Sequence, residues 1–163
     1  MRFDFAIGNP PYQEESNLQH ELAEDNKRNF APPVYNLFLE EAYKVADVVE
    51  TIHPARFLFN AGSTPKSWNE KMLNDEHLKI SYYEPDSNKV FPGLSTPIKG
   101  GIAISYRDDK SNYGAIKAFT QFTELNAIMH KIIDKKDFLS LSNIVYSRTA
   151  YRLTPKMHED NPW

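Results

Sequence analysis

The first ten residues set a pattern that changes within one turn of chain. Phe3-Asp4-Phe5-Ala6-Ile7 is a short apolar run closed by Gly8, and a double proline, Pro10-Pro11, follows. Such a run predicts a short buried strand, ended where proline can no longer donate to a ladder. Residues 13–33 are polar and acidic without a period and predict a long loop. Tyr35, Phe38, Leu39, Ala42, Val45, Ala46 and Val49 then recur at helical spacing and predict an amphipathic helix over 34–47. Val48–His53 is β-branched and apolar, a second strand ended by Pro54. Thr64-Pro65 has the order of an N-cap followed by a first-turn proline, opening a helix through Trp68, Met72 and Leu73.

Two further strands are predicted, Lys79–Glu84 and Gly101–Tyr106, joined by the proline- and glycine-rich stretch Pro85–Gly100. Phe122, Leu125, Met129, Ile132 and Ile133 mark a helix over 119–136, and a short β-like stretch, Asn143–Ser147, lies in the irregular tail. Strand–helix–strand–helix followed by a strand pair is an α/β pattern, with parallel strands, an antiparallel edge and flanking helices. Sheets of this kind hold ligands beyond the carboxyl ends of their strands. Asn9-Pro10-Pro11-Tyr12 falls there, directly after the first strand.

Composition narrows the classes. The chain of 163 residues is 40% hydrophobic and 25% charged, ordinary for a globular domain, and no apolar run is long enough for a membrane span. The start is not a signal peptide, which favours the cytoplasm. With no cysteine there is no disulfide framework, thiolate metal site or cysteine nucleophile. The net charge of −3 is unevenly spread: residues 1–50 carry four basic and ten acidic side chains, whereas residues 131–163 carry six and four. A DNA-facing surface is therefore expected in the later segments.

The tetrapeptide Asn9-Pro10-Pro11-Tyr12 carries a specific chemistry. An aromatic amine is a poor nucleophile because its lone pair is delocalised into the ring. Two acceptors aimed at the amine hydrogens, the Asn9 side-chain carbonyl and the Pro10 backbone carbonyl, would draw the nitrogen toward tetrahedral geometry. The prolines restrict φ and hold that carbonyl in place. Tyr12 offers a ring on which an extruded base can stack. The plain alternative is a strand-ending turn.

Phe3–Tyr12 (FDFAIGNPPY) resembles motif IV of the amino-group DNA methyltransferases. The helix 34–47 with Val49–Phe59 (VETIHPARFLF) resembles their motifs V and VI. Lys89-Val90-Phe91-Pro92-Gly93, followed by Ile98-Lys99-Gly100-Gly101-Ile102, resembles motif VIII of type II enzymes that fuse methylation to restriction. Ser147-Arg148-Thr149-Ala150-Tyr151 looks like the start of a target-recognition region. The resemblance implies an N6-adenine DNA methyltransferase of a restriction-modification system, type IIG-like. Residues 1–139 would be the C-terminal half of a class I, Rossmann-like catalytic domain, and 140–163 the start of target recognition. It implies S-adenosylmethionine as donor, double-stranded DNA with a flipped adenine as substrate, and Asn9, Pro10, Pro11 and Tyr12 as catalytic residues. Phe91 would be a second aromatic on the flipped base, opposite or edge-on to Tyr12; a core aromatic beside a turn is the alternative. Lys89 and Lys99 flank that loop as possible phosphate contacts, or as solvated surface lysines.

The family's glycine-rich donor loop normally precedes this motif, yet only eight residues stand before Asn9, and none of the six glycines falls in a strand–GxG–helix setting. The chain is thus expected not to bind S-adenosylmethionine or methylate alone. Its first strand, mid-sheet in the parent fold, would present an unpaired edge, and a homodimer or a rearranged N-terminus is expected. Two rivals remain. Asp86 with Asp108-Asp109-Lys110 loosely matches a metal-dependent nuclease, although Asp108–Asn112 is also an ordinary polar turn. A non-catalytic DNA- or protein-binding fragment is the other. His20, His53, His77, His130 and His158 lack metal-ligand spacing and are expected at the surface or in packing, with no metal site.

Overall fold

The computed structural model describes residues 2–14, 31–141, 144–145 and 159–160, with the side chain of Thr123 excepted. The sheet has four strands: β1 (Phe3–Gly8), β2 (Ala46–Pro54), β3 (Leu78–Glu84) and β4 (Ile102–Asp108), in spatial order β1-β2-β4-β3. Helix α1 (Tyr35–Val45) links β1 to β2. A 3₁₀ turn (Arg56–Phe59) and α2 (Lys66–Leu73) link β2 to β3, and a single turn, α3 (Ser87–Val90), lies before β4. β1 and β2 are parallel, whereas β4 is antiparallel to both β2 and β3. Three strands therefore run one way, and the reversed strand threads between β2 and β3. This is an α/β sheet consistent with part of a Rossmann-like fold.

The chain separates into two compact units, Met1–Asn126 and Ala127–Trp163. The first holds the sheet. Its core is built by Tyr35 and Leu39 of α1, Phe57 and Leu58 of the 3₁₀ turn, Trp68, Met72 and Leu73 of α2, and Leu78 and Ala103 from the sheet. These side chains cover the face of the sheet carrying Val49, Thr51 and His53, which are buried at alternate positions of β2. The second unit comprises the later part of α4 (Thr123–Ile133) and the residues after it, and Ile128 and Ile132 are exposed there.

Several boundaries differ from the sequence pattern for identifiable reasons. α1 ends at Val45, because Ala46 turns extended (φ −134°, ψ 151°) and begins β2, taking Ala46 and Asp47 out of the predicted helix. Pro65, at ψ 135°, is still outside α2, so the helix starts one residue later than expected; Thr64 donates to the Asn69 side chain (2.7 Å) rather than capping backbone. α4 begins at Thr123, after Thr120 N–H has been taken by the Asn126 side chain (2.8 Å). The 3₁₀ turn and α3 were not legible as periods. Of the acidic loop, the ends pair as Gln13 with Pro33, and 15–30 lie outside the described residues. Of Asn143–Ser147, only Ile144 and Val145 are described, outside any strand; Ser147–Tyr151 lie outside the described residues.

One expectation is overturned outright. β1 is not buried: Phe3, Phe5 and Ile7 are 59%, 67% and 81% exposed. The register sets Phe5 beside Val48 and Ile7 beside Glu50, on the face opposite the core-facing Val49 and His53, and no described element packs over them. β1 is also an edge strand, paired to β2 alone.

Candidate active site

Strand direction decides which loops meet. Gly8 pairs near Thr51, Pro54 pairs with Ile102, and Glu84 pairs with Ile102. The carboxyl ends of β1, β2 and β3 therefore lie together at one end of the sheet. The chain leaving β1, the segment after β2 and the loop before β4 all emerge there, where a sheet of this kind presents its ligand site.

Asn9 and Pro11 are exposed and Pro10 is half-buried. The Asn9 amide has no hydrogen-bond partner among the described residues, which leaves its carbonyl and its NH2 group available. Tyr12 is anchored: its carbonyl accepts from Val34 N–H (3.2 Å) as the returning chain passes. Its ring packs against the core, and its hydroxyl is buried without a partner. That burial pushes the phenol up to about 12, so it stays neutral at any working pH.

Phe91 reaches Tyr12 because the loop before β4 is tightly built. Asp86 caps α3 through Asn88 N–H (3.0 Å), and Ile98 N–H donates to the buried Ser87 hydroxyl (2.8 Å), closing the loop on itself. Phe91 N–H donates to Ser87 C=O (2.9 Å). Gly101, at φ +80°, lets the loop's end pass against β3; a Cβ there would stand 2.3 Å from Glu84 O. The result is an edge-on pair, Tyr12 and Phe91, with ring centroids 6.5 Å apart at 60°. Such pairs stabilise by about 0.5–1.5 kcal/mol beyond area burial.

Beside Tyr12 lies a cleft of about 400 Å³. Tyr35, Arg56, Thr64 and Lys99 contribute to its walls, and among the described residues no aspartate or glutamate does. Asn9, Pro10 and Phe91 do not line it; they stand next to it around Tyr12. Lys89 is engaged elsewhere, 3.4 Å from Glu84. Arg56 was missed in the sequence, although its position two residues past a strand's carboxyl end is the available signal. Among the described residues no glycine-rich turn leads from a strand directly into a helix. Among the described residues the cleft also has no acidic wall residue of the kind that holds ribose hydroxyls.

His53 belongs to the core. Its Nε2 lies 2.8 Å from Ser105 Oγ and its ring stacks on Tyr35 at 5.7 Å. His77 is held by Ser111 C=O (2.8 Å), and His20 and His158 lie outside the described residues. The nuclease constellation does not assemble. Asp86 follows β3 at one end of β4, while Asp108 stands at the other, about 20 Å of strand away at ~3.3 Å per residue. There Asp109 pairs with Arg2 and Arg107, and Lys110 with Asp47 (3.0 Å). No group of three or more potential metal ligands occurs among the described residues.

Comparison with family models matches residues 1–91 to the Eco57I restriction-modification methylase family. The chain belongs to this family. The match covers β1, the Asn-Pro-Pro-Tyr turn, α1, β2, α2, β3 and the loop as far as Phe91. These are methylases of restriction-modification systems, a class whose substrate is DNA and whose usual donor is S-adenosylmethionine. No curated protein and no solved structure matches the chain. Among the described residues no helix is long and apolar enough to cross a membrane.

Proposed function

We propose that this chain carries the target-base half of a DNA adenine-N6 methyltransferase active site. The observation that carries the reading is the placement of Asn9-Pro10-Pro11-Tyr12 at the carboxyl end of a parallel strand beside a cleft, with Asn9 exposed and Tyr12 edge-on to Phe91. The Asn9 side-chain carbonyl and the Pro10 carbonyl accept the two hydrogens of the adenine amine. That pulls the nitrogen out of conjugation and frees its lone pair. Tyr12 and Phe91 hold the base after it has left the duplex, replacing part of the stacking it has lost. S-adenosylmethionine, when bound, supplies the electrophilic methyl group. Asn9→Ala in the complete methylating system tests the assignment. Loss of one preorganised acceptor is expected to lower methylation about 100-fold or more; a rate near the original refutes it.

In this reading the chain alone is inactive, because among the described residues no glycine-rich turn leads from a strand into a helix to receive the donor. Calorimetric titration with S-adenosylmethionine is expected to show no saturable heat. Stoichiometric tight binding would show that the chain holds a donor site of its own.

A further inference from the structure

The adenine reading uses Asn9 through Tyr12 and Phe91 and leaves the cleft next to them without a role. Its charge is distinctive. Among the described residues no carboxylate lines it, while Arg56 and Lys99 both do. Neither cation has an ion-pair partner among the described residues. Arg2 and Arg107, the other described arginines, are both paired with aspartates.

Arg56 is also mechanically held. Its stem runs between Gly62 and Gly100, both at positive φ (+94° and +86°). A Cβ on Gly62 would stand 3.2 Å from Arg56 Cβ, and one on Gly100 would stand 2.6 Å from Arg56 Cγ. Two backbone segments thus form a slot for the side chain. Its charge is felt at the Tyr35 hydroxyl on the cleft wall, where burial raises the phenol to about 12 while Thr64 and Arg56 oppose the rise. An arginine fixed by its stem, with no carboxylate partner among the described residues, is preorganised to pair with two oxygens of a phosphate.

We propose that Arg56, with Lys99, seats a phosphodiester of the strand carrying the target adenine and so positions the extruded nucleotide over Asn9 and Tyr12. The proposal rests on the adenine reading above. Phosphate contacts fix register without reading sequence, the task required beside a base pocket. Lys99 is exposed and supplies a second charge.

The test uses the full chain and a short single-stranded oligonucleotide in which one adenine is 2-aminopurine, with binding followed by anisotropy as a function of salt. The double variant Arg56→Gln/Lys99→Gln is expected to lower the slope of log affinity against log salt by about 0.7, the value for one single-strand phosphate contact, and each single variant by part of that. Lys71→Gln, which removes a lysine paired with Glu40, should leave the slope unchanged. A methylphosphonate at one phosphate near the 2-aminopurine should weaken the native chain but add nothing to the double variant. An unchanged slope in the double variant, or no binding even at low salt, overturns the proposal. If Arg56→Gln fails to fold, the exposed Lys99→Gln carries the test, with a lowered slope expected and an unchanged one overturning the proposal. The adenine reading is scored separately: Asn9→Ala should change 2-aminopurine emission at an unaltered salt slope. A slope that falls while emission ignores Asn9 would leave the phosphate seat standing and the base site refuted.

Discussion

His53 shows how far burial can move one group. Desolvation lowers its pKa from the ordinary 6.5 to about 4, opposed by a hydrogen bond that Pro54 C=O accepts from the ring. Between those two pH values the unfolded chain binds a proton that the folded chain refuses. Stability is therefore complete above about pH 6.5 and falls as pH drops toward 4, by about 3 kcal/mol for this side chain. Denaturant midpoints measured across that window should decline on acidification, and His53→Leu should flatten the decline. Ser105 would keep Thr51 as a neighbour, 3.3 Å away. The sequence showed His53 as one of several scattered histidines without ligand spacing; what it could not show was that Ser105, 52 residues on, faces it. Arg56 escaped for a related reason. A lone arginine after a proline says nothing until Gly62 and Gly100 are seen to grip it.

Among the elements, the loop before β4 is the one whose function depends most on backbone geometry. Gly101 is squeezed against Glu84 O and Pro85 Cα, at 2.3 and 2.7 Å from a notional Cβ, and its φ is +80°. Gly101→Ala should therefore displace the β3–β4 corner, destabilise the fold by roughly 2 kcal/mol or more, and separate Phe91 from Tyr12. A thermal melt checks the first effect, and loss of methylation in the complete system the second. The strands and helices were legible from the pattern of apolar residues, to within a few residues at their ends. The 3₁₀ turn and α3 were not, since four residues are too short to show a period.

For the molecule as a unit, the decisive feature is β1. Strands of parallel sheets are normally covered on both faces, yet Phe3, Phe5 and Ile7 stand exposed beside an unpaired strand edge. Such an edge associates unless something blocks it. The chain is expected to dimerise in light scattering as concentration rises, and Phe5→Lys with Ile7→Lys should return it to a monomer. A wild-type chain that stays monodisperse at high concentration would remove this expectation.

Local pattern alone determined the α/β class, the positions of all four strands and the motif that points to amine chemistry, because each rests on neighbours a few residues apart. Strand order, the exposure of β1, the meeting of Tyr12 with Phe91 and the grip on Arg56 were decided only by the tertiary structure. Each depends on groups brought together across tens of residues, and what such groups meet is set by packing, which no local period records.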